Sequence, residues 1–231
     1  MSREIYTGLS GASAVERQLE LIANNVANST TTGYRESRMA FRVDGQVEGP
    51  AGQTHAAVGE IYASQAQGAG IEDGDPSHLM LEGEGWFVVQ VGGEELLTRD
   101  GRFQRDAEGQ LQTSEGYPVL GEGGPIQIEE ARFSIGEQGT VFGDVSGEID
   151  TIKRVSSELV EPVGGNLYRA KSVVTESSAR VQQGFLESSN VNPMRAMAEL
   201  ILAGRRFEAV QKAMQTSDEL DERANRSGGR A

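Results

Sequence analysis

Residues 5–28 read IYTGLSGASAVERQLELIANNVAN, and the fold follows from the spacing of their apolar positions. Gly8, Ala12, Val15, Leu19, Ile22 and Val26 recur at intervals of four, three, four, three and four. That periodicity predicts one amphipathic helix carrying a coiled-coil stripe. The stripe lasts under three heptads, too short to hold a helix in water without a partner. Ser29-Thr30-Thr31-Thr32-Gly33 follows, supplying β-branched residues and a glycine, so the helix is expected to stop near Asn28.

The far end of the chain answers this helix. Asn192-Pro193 reads as an N-cap with proline at the first helical position. Beyond it Leu200, Phe207 and Met214 recur every seven residues, with Met197, Gly204 and Gln211 offset by three. Ala203, Val210 and Ser217 widen the same face. Glycine inside a helix costs about 1 kcal/mol relative to alanine, so Gly204 predicts a closely approaching neighbour. The expected fold is α+β: N- and C-terminal helices pairing as a coiled coil, with an inserted all-β central domain.

The middle supports that division. Residues 37–74 are rich in Gly, Ala and Gln, and are expected to form an extended connector that closes at Asp73-Gly74-Asp75-Pro76. From 75 to 186 short β-runs alternate with turns. Trp86–Val91 followed by Gly92-Gly93 predicts a hairpin, as do Arg102–Arg105 and Gln110–Thr113 around Asp106-Ala107-Glu108-Gly109. Further strands are expected at Tyr117–Leu120, Ile126–Ile128, Ile149–Val155 and Leu167–Ala170. Residues 1–36 and 187–231 then form the helical ends.

Charge follows the same boundaries. The net charge is −14. Residues 1–42 carry five basic and four acidic side chains, and residues 190–231 carry seven and six. The whole acidic excess therefore lies in the middle. Near-neutral ends can pack against copies of themselves, while an acidic middle stays hydrated. No basic patch offers a footprint for nucleic acid. No apolar run approaches a membrane span, and no secretory leader pattern is present. The sequence has no cysteine, which excludes disulfides and thiolate chemistry.

Catalytic patterns are likewise missing. His55 and His78 are the only histidines and sit in unrelated contexts, so neither a metal site nor a histidine-dependent catalytic arrangement is expected. Asp73-Gly74-Asp75 begins like a calcium loop, but its sixth position is His78 rather than glycine. Gly83-Glu84-Gly85 lacks the third glycine of a dinucleotide loop and precedes a strand. Asp106 and Glu108 are expected to shape a turn. No catalytic, cofactor-binding or metal-binding residue is assigned. The candidate interface is Ala12, Val15, Leu19, Ile22 and Val26 with Met197, Leu200, Gly204, Phe207, Val210 and Met214. Asn24, Asn25 and Asn28 crowd the last helical turn, where they serve either as simple terminators or as ties to neighbouring subunits. Arg205 and Arg206 are either solvated or bridge to Glu16 or Glu20 of another subunit.

Leu21-Ile22-Ala23-Asn24-Asn25-Val26-Ala27-Asn28 and Thr31-Thr32-Gly33-Tyr34-Arg35 together resemble the N-terminal signature of the bacterial flagellar rod and hook proteins. Leu81-Glu82-Gly83-Glu84-Gly85-Trp86-Phe87-Val88-Val89 and Thr98-Arg99-Asp100-Gly101-Arg102-Phe103 look like motifs of the same family. So do Glu187-Ser188-Ser189-Asn190-Val191-Asn192-Pro193 and Arg205-Arg206-Phe207-Glu208. Ile5-Tyr6-Thr7, Ala196-Met197 and Arg206-Phe207-Glu208 look most like its proximal-rod members, with the distal-rod members as the alternative. The resemblance implies a non-enzymatic structural subunit of the basal body. It implies export through the flagellar export apparatus without a cleaved signal peptide. It also implies partners among proximal and distal rod subunits and copies of the chain itself. A rival from another class is a cell-wall-binding β-module with a helical dimeriser. Such a module usually presents several exposed aromatics, and Trp86 is the only tryptophan here.

Overall fold

The computed structural model describes residues 2–44 and 55–228, with side chains over 13–40, 60–216 and at Glu219. The chain runs α1 (Ser2–Ala27), β1 (Ser37–Asp44), β2 (His55–Ala63), β3 (Gly70–Glu72), β4 (Leu79–Glu82), β5 (Trp86–Val91) and β6 (Glu94–Thr98). It continues through β7 (Phe103–Arg105), β8 (Leu111–Thr113), β9 (Leu120–Gly121), β10 (Gly124–Pro125), β11 (Phe133–Ile135), β12 (Thr140–Gly143) and β13 (Gly147–Thr151). The last elements are β14 (Arg154–Ser156), β15 (Val160–Gly164), β16 (Leu167–Ala170), β17 (Thr175–Glu176), β18 (Arg180–Gln183), β19 (Phe185–Glu187) and α2 (Pro193–Gly228). This is an α+β chain whose β-structure is inserted between two long helices.

Both helix boundaries next to the β-structure have local causes. At the end of α1, the Thr31 N–H donates to the Asn28 carbonyl at 3.1 Å and the Thr31 hydroxyl to Asn28 Oδ1 at 3.1 Å, closing the chain into a turn. At the start of α2, Asn192 Oδ1 accepts the Arg195 N–H at 3.1 Å and the Asn192 carbonyl accepts the Ala196 N–H at 2.9 Å. The cap side chain thus satisfies a donor that the first helical turn leaves unpaired. Asn192→Ala is expected to cost about 1 kcal/mol of helix stability. Amide exchange should show this as faster exchange confined to the first turn of α2.

The chain divides into two compact units. One comprises the residues up to Val26, Met39–Glu60 and those from Asn192 onward; the other comprises Ala27–Arg38 and Ile61–Val191. The residues just after α1, those from 61 to 74 and those just before α2 therefore belong to the β-rich unit. Boundaries at 36, 74 and 186 had been expected. Residues 37–74, expected as a connector, carry β1, β2 and β3, with β1 and β2 paired to each other. The alternation Met39, Phe41, Val43 against Arg38, Arg42 and Asp44 is the two-residue period of a strand.

The β-rich unit is built on a six-stranded sheet in the order β15-β16-β6-β5-β14-β17. Its central pair, β5 and β6, is the hairpin expected at Gly92-Gly93, in antiparallel register with Val88 opposite Leu97. The run Trp86-Phe87-Val88-Val89 is apolar without alternation because both sheet faces are covered. Phe87, Val89 and Leu96 enter one core with Leu79, Leu81, Phe103, Leu111, Val119, Ile126, Ile128 and Val181. Trp86, Val88 and Leu97 enter a second core with Val155, Val160 and Tyr168. Aromatic contacts anchor each side: Phe87 meets Phe103 edge-on with centroids 5.1 Å apart, and Trp86 meets Tyr168 at 4.7 Å.

Three expected strands resolve differently. Tyr117–Leu120 contributes only Leu120 to a ladder, as the start of β9, while Pro118 and Val119 make isolated bridges to Gln112 and Val89. Ile149–Val155 splits into β13, in a sheet with β12, and β14, beside β5. Ile152 is buried at the break and bridges Gly121, so the chain changes sheets there. Ile126 and Ile128 are buried without forming a ladder strand; their N–H groups donate individually to the carbonyls of Val119 and Gly109.

Candidate functional site

In the β-rich unit, four separated motifs converge on one buried charge cluster. Glu187, at the end of β19 and 1% exposed, accepts ion pairs from Arg35 at 2.8 Å and from Arg99 at 3.0 Å. Arg35 and Arg99 are themselves only 1% and 2% exposed. Both guanidiniums lie over Trp86, with their central carbons 5.9 and 5.7 Å from the ring centroid, within cation–π range. Arg35 follows α1, Trp86 opens β5, Arg99 follows β6 and Glu187 precedes α2. Residues as far apart in sequence as Arg35 and Glu187 thus share one pocket.

Two positive charges against one carboxylate leave a buried excess of one cation, which main-chain carbonyls absorb. Arg35 donates to the carbonyls of Gln65 and Ala66, and Arg99 donates to those of Leu81 and Gly83. The second lone-pair direction of Glu187 takes the Gly68 N–H at 2.8 Å. Burial pulls the Arg99 guanidinium down to about 10; the like charge of Arg35 adds to this, and Glu187 opposes it. Arg35 is lowered by burial in the same way, with Glu187 again opposing. The carboxylate is therefore what keeps two desolvated cations tolerable.

Main-chain bonds extend the cluster into a junction for every segment that enters or leaves the unit. The Gly33 N–H donates to the Glu187 carbonyl at 2.7 Å, and the Ser188 N–H to that of Ala69 at 2.8 Å. Asn190 accepts the Glu36 N–H at 2.6 Å and donates to the Ala66 carbonyl at 2.7 Å. The Arg35 N–H donates to the Tyr168 hydroxyl at 3.1 Å, and Asn166 donates to the Thr32 carbonyl at 2.7 Å. The segments around 32–36, 65–69 and 187–190 are thereby tied to one another. This lacing explains why residues 27–38 and 61–74 belong to the β-rich unit.

Gly33 shows how tightly the junction is built. Its φ is +66°, and a Cβ placed there would stand 2.3 Å from the Arg99 carbonyl. Only glycine combines that backbone geometry with that clearance.

Local sequence patterns give Arg35, Trp86, Arg99 and Glu187 no individual role. The signal lay in charge placement. Arg99 follows Leu96-Leu97-Thr98 and Glu187 follows Phe185-Leu186, so each charge continues an apolar strand where a solvated residue would be unexpected. Trp86 is 1% exposed and so has no free face for stacking on a sugar.

The helices place the predicted interface as follows. On α1, Val15, Leu19 and Val26 are half-buried and Ile22 is buried, whereas Glu16, Arg17, Glu20, Ala23 and Asn24 are exposed. Asn25 is buried, and Asn28 closes the turn with Thr31. Ala12 lies within α1, but its side chain is outside the described residues. On α2, Ala196, Leu200, Ala203, Phe207, Val210 and Met214 are buried or half-buried at intervals of four and three. Met197 was expected on this face and instead lies away from it, 48% exposed. Ala196 takes its place because the stripe enters the helix one residue earlier. Gly204 was expected beneath a close neighbour; among the described residues, open space surrounds its Cβ position.

The other chemical candidates have structural explanations. His78 Nδ1 pairs with Asp73 inside the 73–78 turn, and Asp106 accepts the N–H groups of Glu108 and Gln110 to shape its hairpin. The His55 side chain lies outside the described residues. Among the described residues, no group of three or more His, Asp or Glu side chains is placed to hold a metal ion. None of the described helices is long and apolar enough to cross a membrane.

Three stretches of the chain match known protein families. Residues 5–35 match the family model "Flagella basal body rod protein", and residues 80–143 match "Flagellar hook protein FlgE/F/G D1 domain". Residues 182–227 match "Flagellar basal body rod FlgEFG protein C-terminal". The flagellar basal-body rod protein FlgF of Mesorhizobium japonicum is 33% identical over the full length of both chains. FlgF of Salmonella typhimurium is 32% identical over 97% of this chain and 98% of its own. The rod protein FlgG of Bacillus subtilis is 32% identical over 95% of this chain and 97% of its own.

Proposed function

Since the chain belongs to the flagellar basal-body rod protein family, as a FlgF-like structural subunit of the rod, we propose that its two terminal helices pair and build it into the axial core of the proximal rod. The observation that carries this reading is the matched protection on α1 and α2. Val15, Leu19, Ile22 and Val26 face one way on the first helix. Leu200, Phe207, Val210 and Met214 face one way on the second, at the same heptad spacing. Burying large apolar side chains in such a seam contributes roughly 1.5–3 kcal/mol each. A seam this short still needs lateral neighbours to hold it, so assembly and helix pairing reinforce each other.

In this reading the ionic junction ties the segments around 32–36, 65–69 and 187–190 to one another within the β-rich unit, so that load entering along the chain from either helix is carried by buried ion pairs and main-chain bonds. The subunit travels unfolded through the flagellar export apparatus. It then meets copies of itself and the other proximal and distal rod subunits. It performs no catalysis, uses no cofactor, binds no nucleic acid and does not insert in a membrane.

Leu19→Asp and Phe207→Asp are expected to abolish incorporation, since a charge in the seam loses the apolar burial and adds a desolvated carboxylate. Basal bodies isolated from cells carrying either variant should lack the subunit. Fluorescence of Trp86, buried in the other unit, should stay that of the parent protein. Normal incorporation of either variant would show that the seam is not the polymer core.

A further inference from the structure

The six-stranded sheet ends in β15 on one side and β17 on the other, and the two edges are built differently. At β15 the Lys171 N–H donates to the Leu159 carbonyl at 2.9 Å. Main-chain groups alternate in direction along an antiparallel strand, so the register Glu161↔Arg169, Pro162↔Tyr168 turns the backbone of Val160 and Pro162 outward. Val160 is 0% exposed and so already covered, and Pro162 has no N–H to offer. A register shift between Pro162 and Gly164 distorts what remains. This edge is closed to a further strand.

At β17 the Ser177 N–H donates to the Arg154 carbonyl at 3.0 Å, and the same alternation turns the backbone of Val174 and Glu176 outward. Neither of these two N–H groups has a partner among the described residues. Val173 and Val174 are 82% and 49% exposed, and Thr175 and Glu176 are exposed as well. Val173-Val174-Thr175 is a β-branched run, the composition that pairs best in a sheet. No proline and no register shift blunts this side. The β17 edge is open.

We propose that the β17 edge receives an extended segment of a different protein as an added strand, with a lysine or arginine of that segment beside Glu176. Main-chain pairing supplies the contact, and the side chains supply the selectivity. Charge sets the kind of partner. Residues 172–179 contain Glu176 and no basic side chain. Exposed Glu84 lies next to them, its carbonyl accepting the Ser177 hydroxyl at 2.6 Å. A second copy of the chain fits neither way. Its β15 edge lacks the donor, and its β17 edge would bring another set of carboxylates towards Glu176 and Glu84. The helix seam, which lies in the other unit, plays no part in this contact.

The test titrates the full-length protein with a synthetic peptide, acetyl-Thr-Val-Lys-Val-Thr-Val-amide, and reads amide exchange at Val174 and Glu176. Both amides should exchange freely in the dilute protein alone and slow by about tenfold or more at saturating peptide. Replacing the peptide's lysine by glutamate should weaken binding about fivefold or more, and Glu176→Lys in the protein should reverse that preference. Val174→Pro removes an outward donor without breaking a bond to β14, so it should abolish binding while Trp86 fluorescence stays that of the parent. Protection of both amides in the dilute protein alone would show the edge to be covered and overturn the proposal. Protection that rises with protein concentration in the absence of peptide would assign the edge to a second copy, and equal affinity for the two peptides would remove the basic partner. Undiminished binding by Val174→Pro would place the peptide elsewhere. Each of these outcomes is read on the β-rich unit, whereas the seam reading fails separately, through normal incorporation of Leu19→Asp or Phe207→Asp.

Discussion

Glu187→Ala lowers the stability of the β-rich unit by about 3–5 kcal/mol, the cost of leaving buried charge without its counterpart. Both Arg35 and Arg99 lose their only ion-pair partner among the described residues, and both stay buried against Trp86. The Gly68 N–H loses its acceptor as well. Denaturant unfolding followed by Trp86 fluorescence checks this, since the indole is in contact with both guanidiniums. The loss should appear as a lower midpoint at nearly unchanged slope. A variant with Arg35, Arg99 and Glu187 all replaced by methionine should lose less than Glu187→Ala, because no charge then remains buried. If the single substitution proves near neutral, the cluster is reached by solvent and does not bind the chain ends together.

Gly33→Ala is the second large effect, expected to exceed about 4 kcal/mol, the range reserved for changes with a definite structural clash. Left-handed backbone alone costs a non-glycine residue roughly 1–2 kcal/mol. Here the new methyl would also stand 2.3 Å from main-chain atoms of Arg99, which the ion pair to Glu187 holds in place. The Gly33 N–H bond to the Glu187 carbonyl would be pushed apart too. Gly92→Ala supplies the control. Its φ is +60°, but no atom lies within 4 Å of its Cβ position, so it should lose only the backbone cost. Thermal unfolding of the two variants side by side separates clash from strain. Equal losses would mean that the close approach at Gly33 is relaxed in solution.

Both effects arise where the chain ends meet the β-structure, and this region was least legible before the structure was known. Local signals served well elsewhere. Asn192-Pro193 caps α2, Gly92-Gly93 turns between β5 and β6, and Leu167–Ala170 is a strand. Each of these depends on residues within a few positions of one another. The break between β13 and β14 was missed because Ile149–Val155 is continuously β-forming; only a buried Ile152 between two sheets divides it. The stripe on α2 was displaced by one residue at its start for a similar reason. Met197 and Ala196 are both apolar, and periodicity does not say which of them meets another surface.

What the sequence by itself determined was everything set by short-range periodicity and composition: two terminal helices, an inserted acidic β-region, and an absence of residue patterns for catalysis. The motifs also carried the family. What only the tertiary structure decided was that Arg35, Trp86, Arg99 and Glu187 are one site. The physical reason is that a buried charge is defined by its partners, and these partners are separated by up to about 150 residues. No window along the chain contains both a cation and the carboxylate that makes its burial tolerable.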